Sequence, residues 1–196
     1  MSIQTLVPAS FLGRLRSFRK DNRGVAALEF AIIAPILILL FLGTIEISLA
    51  ISVDRKISRV SSAVADLVTQ HEDQNFDTDY LNAMANIADR IMYPYDDELR
   101  ISLAGIQIIN NQPRVVWSWA KNTSKVAVGS SYTVPASIRE DGTYLLAAKV
   151  ETDHEPAFKF VNFENGKLSF DTAAIELGEE MFLRPRLFAN QTCSNC

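Results

Sequence analysis

Two carboxylates, Glu29 and Glu46, lie inside the most apolar stretch of the chain and are its first candidates for chemistry. The stretch runs from Val25 to Ile51 (VAALEFAIIAPILILLFLGTIEISLAI), 27 residues without Lys, Arg or Asp. An ionised carboxylate in apolar surroundings is costly, and an opposite charge beside it offsets part of that cost. The chemistry that this pattern favours is therefore charge pairing at low dielectric. For Glu46, near the end of the stretch, we expect a solvated carboxylate at a helix exit, with an interfacial role as the alternative.

The charge distribution separates a basic leader from an acidic remainder. Residues 1–24 hold five Lys or Arg against one Asp, net +4, whereas the rest of the chain has a net charge of −8. Lys and Arg are retained on the cytoplasmic side of a membrane segment. We therefore expect the leader in the cytoplasm and the C-terminal part outside it. The acidic remainder argues against nucleic acid as a partner, since nucleic acid selects basic surfaces.

The two cysteines, Cys193 and Cys196, have the C-x-x-C spacing in the last four residues of the sequence. In thiol oxidoreductases this motif opens a helix that activates the first thiol. The sequence ends at Cys196, so we expect a structural disulfide that closes the tail. Free or intermolecular thiols remain the alternatives.

Other constellations for catalysis or metal binding are weak. His71 and His154 are far apart, and no Ser or Cys nucleophile stands at a recognised spacing from Asp153-His154-Glu155. The stretch from His71 to Tyr80 alternates acidic and amide residues like a calcium loop, but it lacks the turn glycine and the terminal glutamate. We expect a solvated loop there, and we expect no catalytic residues, no cofactor and no metal site.

One long helix is predicted to position both glutamates. At about 1.5 Å per residue, residues 25–51 would cross a bilayer core of roughly 30 Å. Residues 52–70 continue it with an apolar stripe at steps of four and three, which is typical of an amphipathic helix: Val53, Ile57, Val60, Val64 and Leu67. We predict a continuous helix from about Val25 to about Thr69, with a possible kink at Pro35. The stripe is expected to pack against the protein's own domain, with neighbouring subunits as the alternative.

The remainder, residues 71–196, is predicted to be an exported α+β domain. A second helix is expected from about Tyr80 to Met92, capped by Asp79 or Thr78 and ended by Pro94. Its predicted apolar face consists of Leu81, Met84, Ile87, Ala88 and Ile91. Alternating residues and turn signals predict a mainly antiparallel sheet, with strands at Leu99–Ile109, Arg114–Ala120, Thr143–Thr152 and Met181–Phe188 and a possible hairpin around Asn165-Gly166.

The order of basic leader, Gly24, apolar helix and Glu29 resembles the type IV prepilin signal. The wider string RGVAALEFAIIAPILILLFLGTIEI resembles the N-terminal segment of TadE-like proteins, minor pseudopilins of the tight-adherence (Flp) pilus system. The resemblance covers about Asp21 to Ala65, with a weaker match at the C-terminus that includes Arg184-Pro-Arg186. Those arginines are either solvated on an edge strand or in contact with an acidic neighbouring subunit.

This resemblance implies cleavage between Gly24 and Val25 by a prepilin-type peptidase. Glu29 would become the fifth mature residue, followed by Phe30, and would neutralise a subunit's N-terminal amine in the assembly. The implied fold is a pilin-like lollipop, and the implied partners are the major pilin, other minor pseudopilins, the inner-membrane pilus machinery and membrane lipid. The implied location is the inner membrane, single-pass, with the domain in the periplasm or in the pilus.

Two other fates of the N-terminus stay open at this point. The chain could keep its leader as an uncleaved inner-membrane scaffold of the pilus secretion machine. Alternatively, a conventional secretory signal could be cut after Ser48-Leu-Ala50, which offers a small-x-small site.

Overall fold

The computed structural model describes residues 24–95, 99–156, 161–164, 167–170 and 174–196. They form the predicted α+β fold, with a long apolar helix, a short helix and an antiparallel sheet. The elements are α1 (Val25–Thr69), β1 (Asn75–Phe76), α2 (Thr78–Met92), β2 (Arg100–Ile109), β3 (Gln112–Lys121), a 3₁₀ helix (Ala136–Ile138), β4 (Tyr144–His154), β5 (Val161–Glu164), β6 (Lys167–Phe170), β7 (Ile175–Leu183) and β8 (Thr192–Cys193). Residues 1–23 of the predicted leader and the predicted Asn165-Gly166 turn lie outside the described residues.

Helix α1 has the bounds that its apolar run and stripe predict. It continues through Pro35, and the chain divides into two compact units between Ile45 and Glu46. In the second unit one face of α1 is buried, which confirms packing against the protein's own domain: Val53, Ile57, Val60, Val64, Ala65 and Val68. Leu67 is only half-buried, because a straight helix drifts away from a strict seven-residue repeat. Burial of each Val or Ile contributes roughly 1.5–3 kcal/mol.

Helix α2 begins two residues earlier than predicted, and its cap differs. Asp77 is the N-cap, and its Oδ1 accepts a hydrogen bond of 2.9 Å from the backbone N–H of Tyr80. The buried face also differs from the predicted one, since it consists of Leu81, Ala85, Ala88 and Met92. Ile87 and Ile91 are each 37% exposed. The helix has two apolar stripes, one with Ile87 and Ile91 and one with Ala85 and Met92. The stripe that contains two alanines faces the core, because its small side chains allow the helix to pack more closely.

The main sheet has four antiparallel strands in the order β3-β2-β4-β7. The predicted β2–β3 hairpin is confirmed, and its turn residues, Asn110 and Asn111, have φ values of 53° and 58°. Asn tolerates this left-handed conformation, which a two-residue hairpin turn requires. Strands β5 and β6 pair separately as an antiparallel ribbon.

The two faces of the main sheet are buried differently. On one face the residues of β2, β3 and β4 pack against α1 and α2 around Leu103, Trp119 and Val150. On the other face a smaller core surrounds Ile106 and Val134. Beside that smaller core the same face carries charged pairs, including Arg100 with Asp153. Among the described residues both α-helices thus pack on one face of the sheet, as expected for an α+β domain.

The C-terminal segment differs from the predicted edge strand. The strand β7 starts at Ile175 and ends at Leu183, before Pro185, which cannot donate a hydrogen bond to a ladder. The chain then returns to the end of α1, where the backbone N–H of Arg186 donates to the carbonyl of Thr69 (3.2 Å). Finally β8 pairs in parallel with β1, within the segment that the sequence predicts to be a loop.

Candidate functional site

The predicted cleavage position lies at the boundary of a helix and is open to solvent. Gly24 precedes α1 directly, and the helix begins at Val25, which is 46% exposed. A Cβ built on Gly24 would meet no atom within 4 Å, and Gly24 is not among the glycines with positive φ. Among the described residues, no contact therefore requires glycine at this position.

Glu29 and Phe30 lie on the first turns of α1 and are both exposed. Within the described residues Glu29 makes no hydrogen bond and no ion pair. Phe30 is 69% exposed and belongs to an apolar surface that covers the helix all round. The structure therefore leaves both predicted assembly residues available to a group outside the chain.

The apolar part of α1 is the one span in the described residues that is long and apolar enough to cross a membrane. None of its most apolar 18-residue window is buried inside the structure. The exposed residues include Leu28, Ile32, Ile33, Ile36, Leu37, Ile38, Leu39, Leu40 and Phe41. Apolar surface of this extent is typical of contact with lipid or with another protein. This part of α1 is a candidate membrane anchor.

The predicted solvation of Glu46 is wrong. Glu46 is 9% exposed, and its Oε1 lies 3.1 Å from Nε2 of His154, which is 7% exposed. His154 is the last residue of β4, on the face that packs toward α1 because buried residues alternate along the strand. His154 was not predicted as a partner of Glu46, although its even spacing from Val150 along β4 was a usable signal.

The two arginines of the Arg184-Pro-Arg186 segment form ion pairs within the chain. Nη2 of Arg184 lies 2.7 Å from Oε2 of Glu140, and Nη2 of Arg186 lies 2.5 Å from Oδ1 of Asp66. Both pairs are partly exposed, so each contributes little to stability. The segment therefore pairs with α1 and with Glu140 after the 3₁₀ helix, while both arginines stay more than half exposed. Contact with an acidic neighbouring subunit stays a prediction.

Cys193 and Cys196 are joined by a disulfide in the structure. The tail around them is also held by backbone hydrogen bonds, from Thr192 to the carbonyl of Gln74 and from Ser194 to that of Phe76. The buried amide of Gln191 donates to the carbonyl of Val68 at 2.9 Å. The tail is thus held by hydrogen bonds to the β1 segment and to the end of α1.

The shifted pKa values in the domain have structural causes. Burial raises the pKa of Tyr80 and of Tyr144; the Tyr80 hydroxyl donates to the carbonyl of Leu67, and that of Tyr144 accepts from Trp117 Nε1. Hydrogen bonds from Arg100 lower the pKa of Asp153. Within the described residues no group of three or more His, Cys, Asp or Glu could hold a metal ion. Both tyrosine hydroxyls are hydrogen-bonded within the domain.

Comparison with known proteins gives one match. Residues 24–66 match the family model of TadE-like proteins, which covers about a fifth of the 196-residue chain. No curated protein matches the chain. No solved structure matches it either. The matched segment contains Gly24, Val25, Glu29, Phe30 and Glu46, and so confirms the resemblance that the sequence suggested. The chain therefore carries a TadE-like segment at residues 24–66, of the kind found in tight-adherence pilus proteins.

Proposed function

We propose that the chain is a minor pseudopilin of a tight-adherence (Flp) pilus, processed by a prepilin-type peptidase and active in pilus assembly or priming. The observation that carries the proposal is that the TadE-like match and the apolar helix begin at adjacent residues. The TadE-like match starts at Gly24, and the exposed apolar helix starts at the next residue. Cleavage there would leave a subunit that begins with an uninterrupted apolar helix.

The environment of Gly24 supports a processing role. A side chain at this position would contact none of the described residues. A requirement for glycine would then come from a partner that binds the backbone closely, since a residue without Cβ allows such an approach. A peptidase active site is a partner of this kind.

The environment of Glu29 supports an assembly role. Its carboxylate is exposed on an apolar helix and lacks a partner among the described residues. Cleavage after Gly24 creates an amine on Val25, and two opposite charges attract strongly at low dielectric. The amine of a neighbouring subunit would therefore offset the cost of keeping Glu29 in lipid, which is several kcal/mol on insertion scales.

Phe30 and the apolar residues that follow it in α1 would contact lipid before assembly. Once the pilus is assembled, they would contact other subunits. The subunit would wait in the inner membrane, with its domain in the periplasm, and would then contact the major pilin, other minor pseudopilins and the inner-membrane machinery. The buried face of α1 is already occupied by the chain's own domain. Subunit contacts would therefore use the exposed first half of the helix.

The test is the Glu29→Gln variant, with Glu29→Asp as the control that keeps the charge. We expect Glu29→Gln to be cleaved, inserted and folded, but to lose co-purification with pilus subunits and to abolish pili in micrographs. Glu29→Asp should retain part of both. Normal pili from cells that carry only Glu29→Gln would remove Glu29 from the mechanism.

A further inference from the structure

A cavity of about 470 Å³ lies where the β2–β3 turn meets the loop before the 3₁₀ helix. Its walls include Asn111, Arg114, Ser131, Thr133 and Arg139. The loop is fixed against the edge of β3 by backbone hydrogen bonds of 3.1 Å, from Val115 to Ser130 and from Tyr132 to Pro113. The volume falls within the range of small-molecule sites, about 300–1,000 Å³.

Two guanidinium groups line this cavity, and neither forms an ion pair with a carboxylate of the described residues. Arg114 donates to the carbonyl of Gly129 (3.0 Å) and to the side chain of Gln112 (3.3 Å). Arg139 donates from Nη2 to the carbonyl of Val134 (2.6 Å). All of these acceptors are neutral, so they orient the two side chains without cancelling their charges. In addition, Nε of Arg139 is buried and has no hydrogen-bond partner.

The two acidic residues that follow Arg139 each bond a group other than the two arginines, and Asp141 bonds the backbone of Asn111 in the cavity wall. Oε2 of Glu140 pairs with Arg184 at 2.7 Å, and Oδ1 of Asp141 accepts from the backbone N–H of Asn111 at 3.1 Å. No carboxylate lines the cavity among the described residues. A cavity lined by two arginines and no carboxylate is unusual here, because the chain beyond residue 24 has a net charge of −8.

We propose that this cavity binds a small anionic ligand of monosaccharide size. Its carboxylate or phosphate would lie between Arg114 and Arg139, because guanidinium groups bind both anions through paired N–H donors. The hydroxyl groups of Ser131 and Thr133 and the amide of Asn111 would meet the ligand's own hydroxyl groups. The proposal concerns the domain alone and is independent of the proposed function.

The experiment is a calorimetric titration of the purified full-length chain in a neutral polyoxyethylene detergent. The probes are D-glucuronate for the carboxylate, glucose 6-phosphate for the phosphate, and glucose as the uncharged control. We expect saturable binding of at least one anionic probe and none of glucose. Whichever anionic probe binds more tightly shows whether the site prefers a carboxylate or a phosphate. The affinity of that probe should fall as the salt concentration rises.

Variants decide whether the two arginines are responsible. Arg114 is exposed, so Arg114→Gln should fold normally and bind the anionic probe at least tenfold more weakly. Arg139→Gln should do the same, with its fold checked by thermal unfolding. Arg90→Gln is the matched control, because Arg90 is an exposed arginine on α2, outside the cavity, and it should leave the affinity unchanged. Failure of both anions to bind at millimolar concentration, or equal affinity in Arg114→Gln, would overturn the proposal.

Discussion

Glu46 and His154, 108 residues apart in the sequence, are joined by a buried hydrogen bond of 3.1 Å between Oε1 and Nε2. The bond links the first buried turn of α1 to the last residue of β4. Each of these polar groups would be expensive to bury without a partner. The pair therefore ties the helix to the sheet at a defined position.

Loss of one partner of this pair should destabilise the domain. His154→Ala and Glu46→Ala are each expected to lower the free energy of unfolding by about 1–3 kcal/mol, because each removes a buried hydrogen bond from a polar group that stays in the core. The double variant should lose less than the sum of the two. The measurement is denaturant unfolding followed by the fluorescence of the buried Trp117 and Trp119. Additive losses would show that the two residues act separately.

Gly105 is expected to be intolerant of any side chain. A Cβ on Gly105 would collide with Nε1 of Trp117 and with the hydroxyl of Tyr144, which are hydrogen-bonded to each other at 2.7 Å. Gly105→Ala should cost about 1–3 kcal/mol through overpacking, measured by the same unfolding curves.

Gly178→Ala on β7 is the matched control for Gly105→Ala. Its Cβ would approach Cγ of Glu151 at 2.9 Å, and that flexible, partly exposed side chain can move away. The loss of stability should therefore be clearly smaller than for Gly105→Ala. Equal losses at the two positions would contradict the role assigned to the Trp117–Tyr144 contact.

The Cys193–Cys196 disulfide should form in the exported protein and contribute little to stability. Thiol alkylation of non-reduced, membrane-extracted protein should leave both cysteines unlabelled, whereas full labelling would contradict the pairing. The double variant Cys193→Ser/Cys196→Ser should keep the tail docked, because β8 and Gln191 hold it independently. The expected loss is below about 3 kcal/mol, the entropic value for a loop of some 15 residues.

The Arg100–Asp153 pair predicts a specific dependence of stability on pH. Arg100 lowers the pKa of Asp153 in the folded chain, so the pair stabilises the fold above the unfolded carboxyl pKa, about 3.9. This contribution is lost as the pH falls through the lower folded value. Arg100→Gln should therefore reduce the drop in stability below about pH 4, measured by denaturant unfolding. An unchanged acid profile, with Arg90→Gln as the reference, would argue against it.

Local patterns determined much of the fold. The bounds of α1 follow from an apolar run and a stripe without helix breakers, and the β2–β3 hairpin follows from the two asparagines at its turn. The candidate site at Gly24 and Glu29 was also visible in the sequence, because both residues belong to one local motif.

Contacts between distant segments were not predictable in the same way. The Glu46–His154 bond depends on the register of β4 in the sheet, and the Arg186–Asp66 pair depends on the return of the chain after β7. The face of α2 was ambiguous because Ile87 and Ala85 belong to competing stripes, and only the close packing of the core decides between them. The cavity lined by Arg114 and Arg139 depends on how the loop before the 3₁₀ helix packs against β3. The hydrophobic periodicity of the sequence does not predict that packing.

The most direct test of the account is the N-terminal sequence of the mature protein. The protein should be isolated from membranes of cells that produce the pilus machinery, alongside a Gly24→Leu variant. We expect the mature chain to begin at Val25 and the Gly24→Leu variant to keep its full length. A start at Met1 or Ser2 would contradict this expectation in favour of an uncleaved membrane scaffold, and a start at Ile51 would contradict it in favour of a conventional secretory signal.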